Sequence, residues 1–216
     1  MEVPVFGLGR KSNDFGRGFY CTESSELAKE WAVSSLSDGF SNRYTLDTEY
    51  LRTLNLNSAD YTILNWIAVL VEHRLFKIAN PVARRAKQYL TDNFGINVNA
   101  YDVIIGYRAD DSYYDYAEAF LNNAITVGQL SLAMRPGRLG EQTVIKSEFA
   151  VSSLKFEGFE TAEKEKYYTQ RKARNEQADQ MYRDILEKET DGLYIQDIIR
   201  GGIKNDDPRI PPNLSE

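Results

Sequence analysis

The run Asp14-Phe15-Gly16-Arg17-Gly18-Phe19-Tyr20-Cys21-Thr22 places two glycines and three aromatic rings within nine residues. Gly16 and Gly18 bracket Arg17, and glycine permits positive φ and close approach of the backbone to a ligand. Phe19 to Thr22 are β-favouring residues and read as a short strand, which holds the Tyr20 ring on a rigid element beside a flexible turn. Ser24 or Ser25 then caps a helix, with Glu26 in its first turn and Leu27, Ala28, Trp31 and Ala32 at helical spacing. On residue types alone two readings stay open, a tight turn over core aromatics and a ligand-binding loop followed by a stacking ring.

Outward from this run, helices and strands intermix without regular βαβ alternation, which favours an α+β fold. Arg43–Asp47 reads as a strand. Tyr61–Arg74 is apolar nearly all round, as a buried helix is. Pro81–Asn93 fits a helix with proline in its first turn and Gly95 just past its end. Tyr101–Tyr107 is β-branched and is the expected central strand; Ser112–Asn123 and Thr126–Met134 read as helices, and Gln142–Lys146 as a strand. Glu163–Lys188 is a long charged helix whose stripe, Ala178, Met181, Tyr182, Ile185 and Leu186, recurs at i, i+3, i+4, i+7, i+8. The end of the chain, Asp206–Glu216, reads as a loose tail.

The 216 residues are 42% hydrophobic and 12% aromatic, enough to build a folded core. No apolar run reaches the roughly 18 residues of a membrane helix, and no basic segment followed by an apolar one opens the chain. The single Cys21 cannot form an internal disulfide, which fits a reducing compartment and a cytoplasmic expectation. With 26 basic and 32 acidic residues the net charge is −6, so composition does not indicate nucleic-acid binding. One cysteine and one histidine give no basis for a zinc site or for a Ser-His-Asp or Cys-His enzyme. His73 is expected to be a packing or surface residue. No G-x-G-x-x-G follows a strand, and there is no P-loop.

The Phe15–Tyr20 run resembles the nicotinamide-binding block of the poly(ADP-ribose) polymerase branch of ADP-ribosyltransferases, a Phe-Gly-Lys-Gly-x-Tyr motif leading into a strand and a helix. Laid on this chain, the resemblance puts the motif tyrosine at Tyr20 and a second stacking aromatic at Trp31. Two such rings suit a flat, amide-bearing heterocycle. The serine that would hydrogen-bond the carboxamide falls at Ala28. A broader similarity is to a bacterial family, long labelled a domain of unknown function, placed in the ADP-ribosyltransferase fold. It runs through Gly9–Tyr20, Tyr101–Gly106 with Ala109-Asp110-Asp111, Leu139–Gln142 and Tyr194–Ile199. Members of that family are often encoded beside small helical proteins in toxin–antitoxin-like pairs.

The resemblance implies a split β-sheet core with NAD as ligand and substrate, residues 1–160 as the NAD-binding domain, and 161–216 as a helical extension and tail. It also implies a His-Tyr-Glu triad, whose His-bearing Tyr-His-Gly-Ser strand would fall just before Met1. The third element falls at the start of the Gln142–Lys146 strand, where Glu141 and Gln142 compete. Side chains alternate along a strand, so one of the two faces a cleft; the family tends to carry Gln there. Arg10 and Arg17 are candidates for the pyrophosphate, because guanidinium matches phosphate oxygens bidentately, and Gly16 and Gly18 complete the expected binding loop. Asp110-Asp111 reads as a turn and helix cap or as part of the site. The long helix is expected to cover the core or face a partner, away from the NAD cleft. The implied function is ADP-ribose transfer to a macromolecule by the toxin-like half of a two-protein module. Its alternatives are a non-catalytic NAD-binding module acting through a protein partner, and an NAD glycohydrolase.

Overall fold

The computed structural model describes residues 4–76, 78, 80–109, 111–134, 141–188, 192–210 and 212–213. In chain order the elements are β1 (Phe19–Cys21), α1 (Ser25–Ala32), β2 (Gly39–Leu46), β3 (Thr53–Asn55), α2 (Ile63–His73), α3 (Pro81–Phe94) and β4 (Val103–Tyr107). They continue as α4 (Asp111–Leu121), α5 (Val127–Met134), β5 (Glu141–Ile145), α6 (Glu148–Ser152), β6 (Leu154–Ala162), α7 (Lys164–Lys188) and α8 (Ile195–Arg200). The protein is α+β, and its described strands form two sheets, one ordered β1-β5-β4-β3 and the other a β2-β6 pair.

β4 lies inside the larger sheet, antiparallel to β5 and parallel to β3. Its Ile104 packs into the main core around α2, while Val103 packs on the opposite face against Ile145, Ala150 and Val151. Burial on both faces explains why the strand is continuously apolar rather than alternating. The main core is built on α2, where every residue from Ile63 to Val71 is buried. Its one amide, Asn65, sits at N3, accepts the Thr62 N–H at 2.8 Å and donates to the Phe94 carbonyl at 3.0 Å. A polar residue is tolerated there because the helix start leaves N–H groups to satisfy. Trp66 is fully buried and donates its indole N–H to the Tyr107 carbonyl at 3.0 Å, tying α2 to the end of β4.

Helix α1 starts where expected, with Ser24 Oγ accepting the Leu27 N–H. Helix α7, 25 residues long, extends about 37 Å. Of its expected stripe, Ala178 is buried and Ile185 packs on the main core, whereas Met181 and Leu186 are exposed; the Tyr182 side chain is outside the described residues. The helix is fixed by the Tyr116 hydroxyl, which donates to the Ala178 carbonyl at 2.6 Å.

Some elements differ from expectation. β2 begins at Gly39, and the Ala32 backbone lies so close that a Cβ there would be 1.9 Å from the Ala32 oxygen. β6 pairs with β2 along its length, with a register shift beside Gly158, which has φ +146°. Residue 160, the expected domain boundary, falls within this strand, and Ala162 at its end is buried with Val33 and Tyr167 of α7. The tail expected to be loose is docked at Ile210 and Asn213. Asn213 donates its backbone N–H to the Tyr61 carbonyl and its side-chain amide to the Leu56 carbonyl, both at 2.7 Å, and Ile210 is buried. Among the described residues no helix is long and apolar enough to cross a membrane.

Candidate functional site

The Asp14–Tyr20 turn is held from three sides. Gly16 donates its N–H to the Asn13 carbonyl at 2.9 Å and has φ +74°, a conformation that favours glycine. The Tyr20 hydroxyl folds back over the turn, accepting the Phe15 N–H at 3.0 Å and donating to the Gly16 carbonyl at 2.7 Å. Lys146 donates to the Phe15 carbonyl at 2.7 Å. The Phe15 ring is fully buried beneath Gly106, where a Cβ would come within 2.8 Å of it.

Both glycines of the turn have packing reasons. A Cβ on Gly16 would meet the His73 ring at 3.2 Å, and one on Gly18 would meet Val144 Cγ1 at 2.5 Å.

Two cavities flank the turn. The first, about 700 Å³, is bordered by Gly16, Arg17, Gly18 and Tyr20, together with His73 and Lys146. Burial pushes the His73 imidazole and the Lys146 ammonium below their ordinary pKa values. The N-terminal stretch Pro4–Gly9 forms the rim of this cavity.

The second, about 620 Å³, is also lined by Tyr20, together with Trp31 and Gln142. Its wall is cationic: Arg74 at the end of α2, Arg108 after β4, and Arg171 and Lys172 on α7. The Arg108 guanidinium lies 4.4 Å from the Trp31 ring centre, within cation–π range, and covers one face of the indole. The Trp31 indole nitrogen and Asn175 Oδ1 line this cavity, are buried, and have no hydrogen-bond partner among the described residues. Buried polar atoms left unpaired are costly, and each such atom beside a cavity suits a polar ligand or water position.

A carboxylate, Asp14, lines the same cavity as these cations. Asp14, 5% exposed, accepts the Ala109 N–H and the Gln142 amide at 2.9 Å each through Oδ2, and Oδ1 lies 3.5 Å from Arg74 Nε. Burial raises its pKa above the ordinary value, while the Gln142 and Ala109 hydrogen bonds and the Arg74 charge pull the other way. Burial also raises the Tyr20 phenol. The Cys21 thiol is pushed up to about 11, with burial the first cause, and donates to the Thr143 carbonyl at 3.2 Å.

The fold therefore brings Tyr20, Trp31 and Gln142 to one cavity and separates them from several other expected residues. Gln142 is 2% exposed, on the same strand face as Val144 of the core, whereas Glu141 is exposed. Arg17 borders the other cavity, and Arg10 is exposed and lines neither. Asp110, Leu139 and Gly140 lie outside the described residues. The long helix was expected apart from the cleft. Instead it supplies Tyr168, Arg171, Lys172 and Asn175 to the cavity that holds Tyr20 and Trp31. Asp14, Arg74 and Arg108 were not singled out from sequence; the nearest signal was the acidic residue opening the glycine-aromatic run.

Fold and cavity together define an α+β protein with a cation-walled cleft beside its four-stranded sheet. The chain belongs to the family described as protein of unknown function (DUF3990), whose model matches residues 1–156. No curated protein and no solved structure matches it. The family match ends within β6, so the part of the cleft wall contributed by α7 lies beyond it.

Proposed function

We propose that this chain binds NAD in the cavity shared by Tyr20, Trp31 and Gln142 and transfers ADP-ribose from it, on an ADP-ribosyltransferase-like core. The observation that carries the reading is the composition of that cavity. Two aromatics and a buried amide share about 620 Å³ with Arg74, Arg108, Arg171 and Lys172, within the usual size range of small-molecule sites. The rings offer faces for nicotinamide, Gln142 an acceptor for a ribose hydroxyl, and the cations a match for the diphosphate. In this reading the diphosphate lies against Arg108 and α7, in place of the expected Arg10 and Arg17.

In the reaction the bond from ribose C1′ to the nicotinamide nitrogen breaks, and nicotinamide leaves as a neutral base with the electron pair. A nucleophile of the acceptor then bonds to C1′ and releases a proton. Gln142 can hold the 2′-hydroxyl of the oxocarbenium-like transition state but cannot take that proton. A side chain that cannot act as general base forgoes a contribution of about 10²–10⁴ in rate, so transfer is slow or the acceptor is already a good nucleophile.

The same amide favours a second reading, a non-catalytic NAD-binding module working through a protein partner. Hydrolysis of NAD by water is a third outcome at the same cavity. A small helical antitoxin-like protein is the partner expected from the family resemblance, with the chain as the toxin component. The readings separate on incubating the protein with NAD, with and without a bacterial lysate, and following nicotinamide and label transfer to macromolecules. Label transfer supports the enzyme; nicotinamide release alone supports the hydrolase; saturable binding without either supports the module.

A further inference from the structure

We infer that Asp14 is a positioning residue that locks the Gln142 amide with its carbonyl oxygen presented to the cavity as the acceptor for a ligand hydroxyl. This rests on the NAD reading for the identity of the ligand, and on geometry alone for the Asp14–Gln142 unit.

A primary amide has a donating nitrogen end and an accepting oxygen end, and their assignment follows from the neighbours. The inner end of Gln142 faces Asp14 Oδ2 at 2.9 Å and the Tyr107 carbonyl at 3.1 Å. A carbonyl oxygen only accepts, and Asp14 Oδ2 already accepts the Ala109 N–H, so the group between them is the NH₂. Both of its hydrogens are then engaged, and the remaining polar atom of the side chain is Oε1. Asp14 is itself fixed by the Ala109 N–H and by Arg74, so the amide cannot turn over without breaking a buried network.

The same contacts explain why residue 142 is a glutamine. A glutamate there would set a second acceptor against Asp14 Oδ2 and the Tyr107 carbonyl, two like-charged groups within hydrogen-bond distance, which do not both ionise. The negative charge of this cavity resides on the turn, and strand β5 carries a neutral acceptor oriented by it. Without Asp14, the Tyr107 carbonyl alone would hold the amide. Arg74 would lose its carboxylate and become a competing donor for Oε1.

The test compares NAD with its analogue lacking the 2′-hydroxyl of the nicotinamide ribose, by titration calorimetry on the full chain. Wild type is expected to prefer NAD roughly tenfold, the worth of one good hydrogen bond. Asp14→Ala should still bind NAD but lose the preference, and Asp14→Asn, whose oxygen can accept from both Ala109 and Gln142, should restore most of it. A full preference in Asp14→Ala overturns the inference, because a merely structural Asp14 would weaken both ligands equally.

If wild type binds neither ligand, the NAD reading fails. The pair is then decided by urea unfolding of Asp14→Ala, Gln142→Ala and the double variant: coupling supports the unit and additivity overturns it. If Asp14→Ala does not fold, Gln142→Glu takes its place. It should be less stable at pH 7 than at pH 5 and recover at pH 7 when Asp14→Asn is added; stability equal to wild type at pH 7 overturns the inference.

Discussion

Tyr20 spends its hydroxyl on its own turn, accepting from Phe15 and donating to Gly16, so its ring rather than its phenol is what remains to meet a ligand. Tyr20→Phe should lose about 1–3 kcal/mol in urea unfolding, the cost of leaving buried backbone groups unpaired, while NAD binding by the stacked ring persists. Asp14 gives a pH signature. Its folded pKa lies above its ordinary 3.8, so the folded state binds the proton more tightly than the unfolded chain. Its contribution to stability is fully present below that value and is lost as pH rises through the raised folded pKa. Melting temperatures of wild type and Asp14→Asn measured from pH 3 upward should show the variant gaining on wild type with rising pH; parallel curves would contradict the assignment. The Phe15–Tyr20 run and Trp31 were legible in the sequence because they are local. Asp14 was not, since its partner Gln142 lies 128 residues away and nothing nearby marks an aspartate in a turn as buried.

Helix α7 shows how an element can be legible while its role is not. Its length and charge stand in the sequence, but its position beside α1 depends on a buried pair. Arg174 meets Glu30, with side chains only 12% and 11% exposed, and burial raises the Glu30 pKa despite the facing arginines. Arg174→Ala should cost about 3 kcal/mol, the lower end for stranding a buried charge. Arg171 donates to the Val33 carbonyl at 3.3 Å, so loosening α7 should also open the cleft, read as weaker NAD binding in the same variant. Unchanged stability would show that the pair is solvated. β6 is the opposite case. Its alternation, Leu154-Lys155-Phe156-Glu157, is written in the sequence, yet Gly158 and the register shift against β2 break the period halfway. The six residues of α8 are too short for periodicity to separate from a strand, and their burial comes from tertiary contact with α3 and the main core.

At the scale of the whole molecule, a chain of net charge −6 concentrates cations around one cavity. A formal count over the entire chain hides that, so composition alone gave no sign of this local cationic wall. Attraction between this wall and a diphosphate should weaken with salt. The docked tail and the segment after α8 are tied to the core through Asn213 on the Tyr61 and Leu56 carbonyls and Tyr89 on the Ile203 carbonyl. The central claim is that the cavity of Tyr20, Trp31, Gln142 and the α7 cations is an NAD site. Titration calorimetry of NAD into the full chain and into the Arg171→Ala/Lys172→Ala double variant tests it most directly. Wild type is expected to bind saturably, and more weakly as salt is raised. The variant is expected to bind at least roughly tenfold more weakly, corresponding to about 1.4 kcal/mol, with a smaller salt dependence. No saturable binding by wild type at millimolar NAD, or equal affinity in the folded variant, would contradict it.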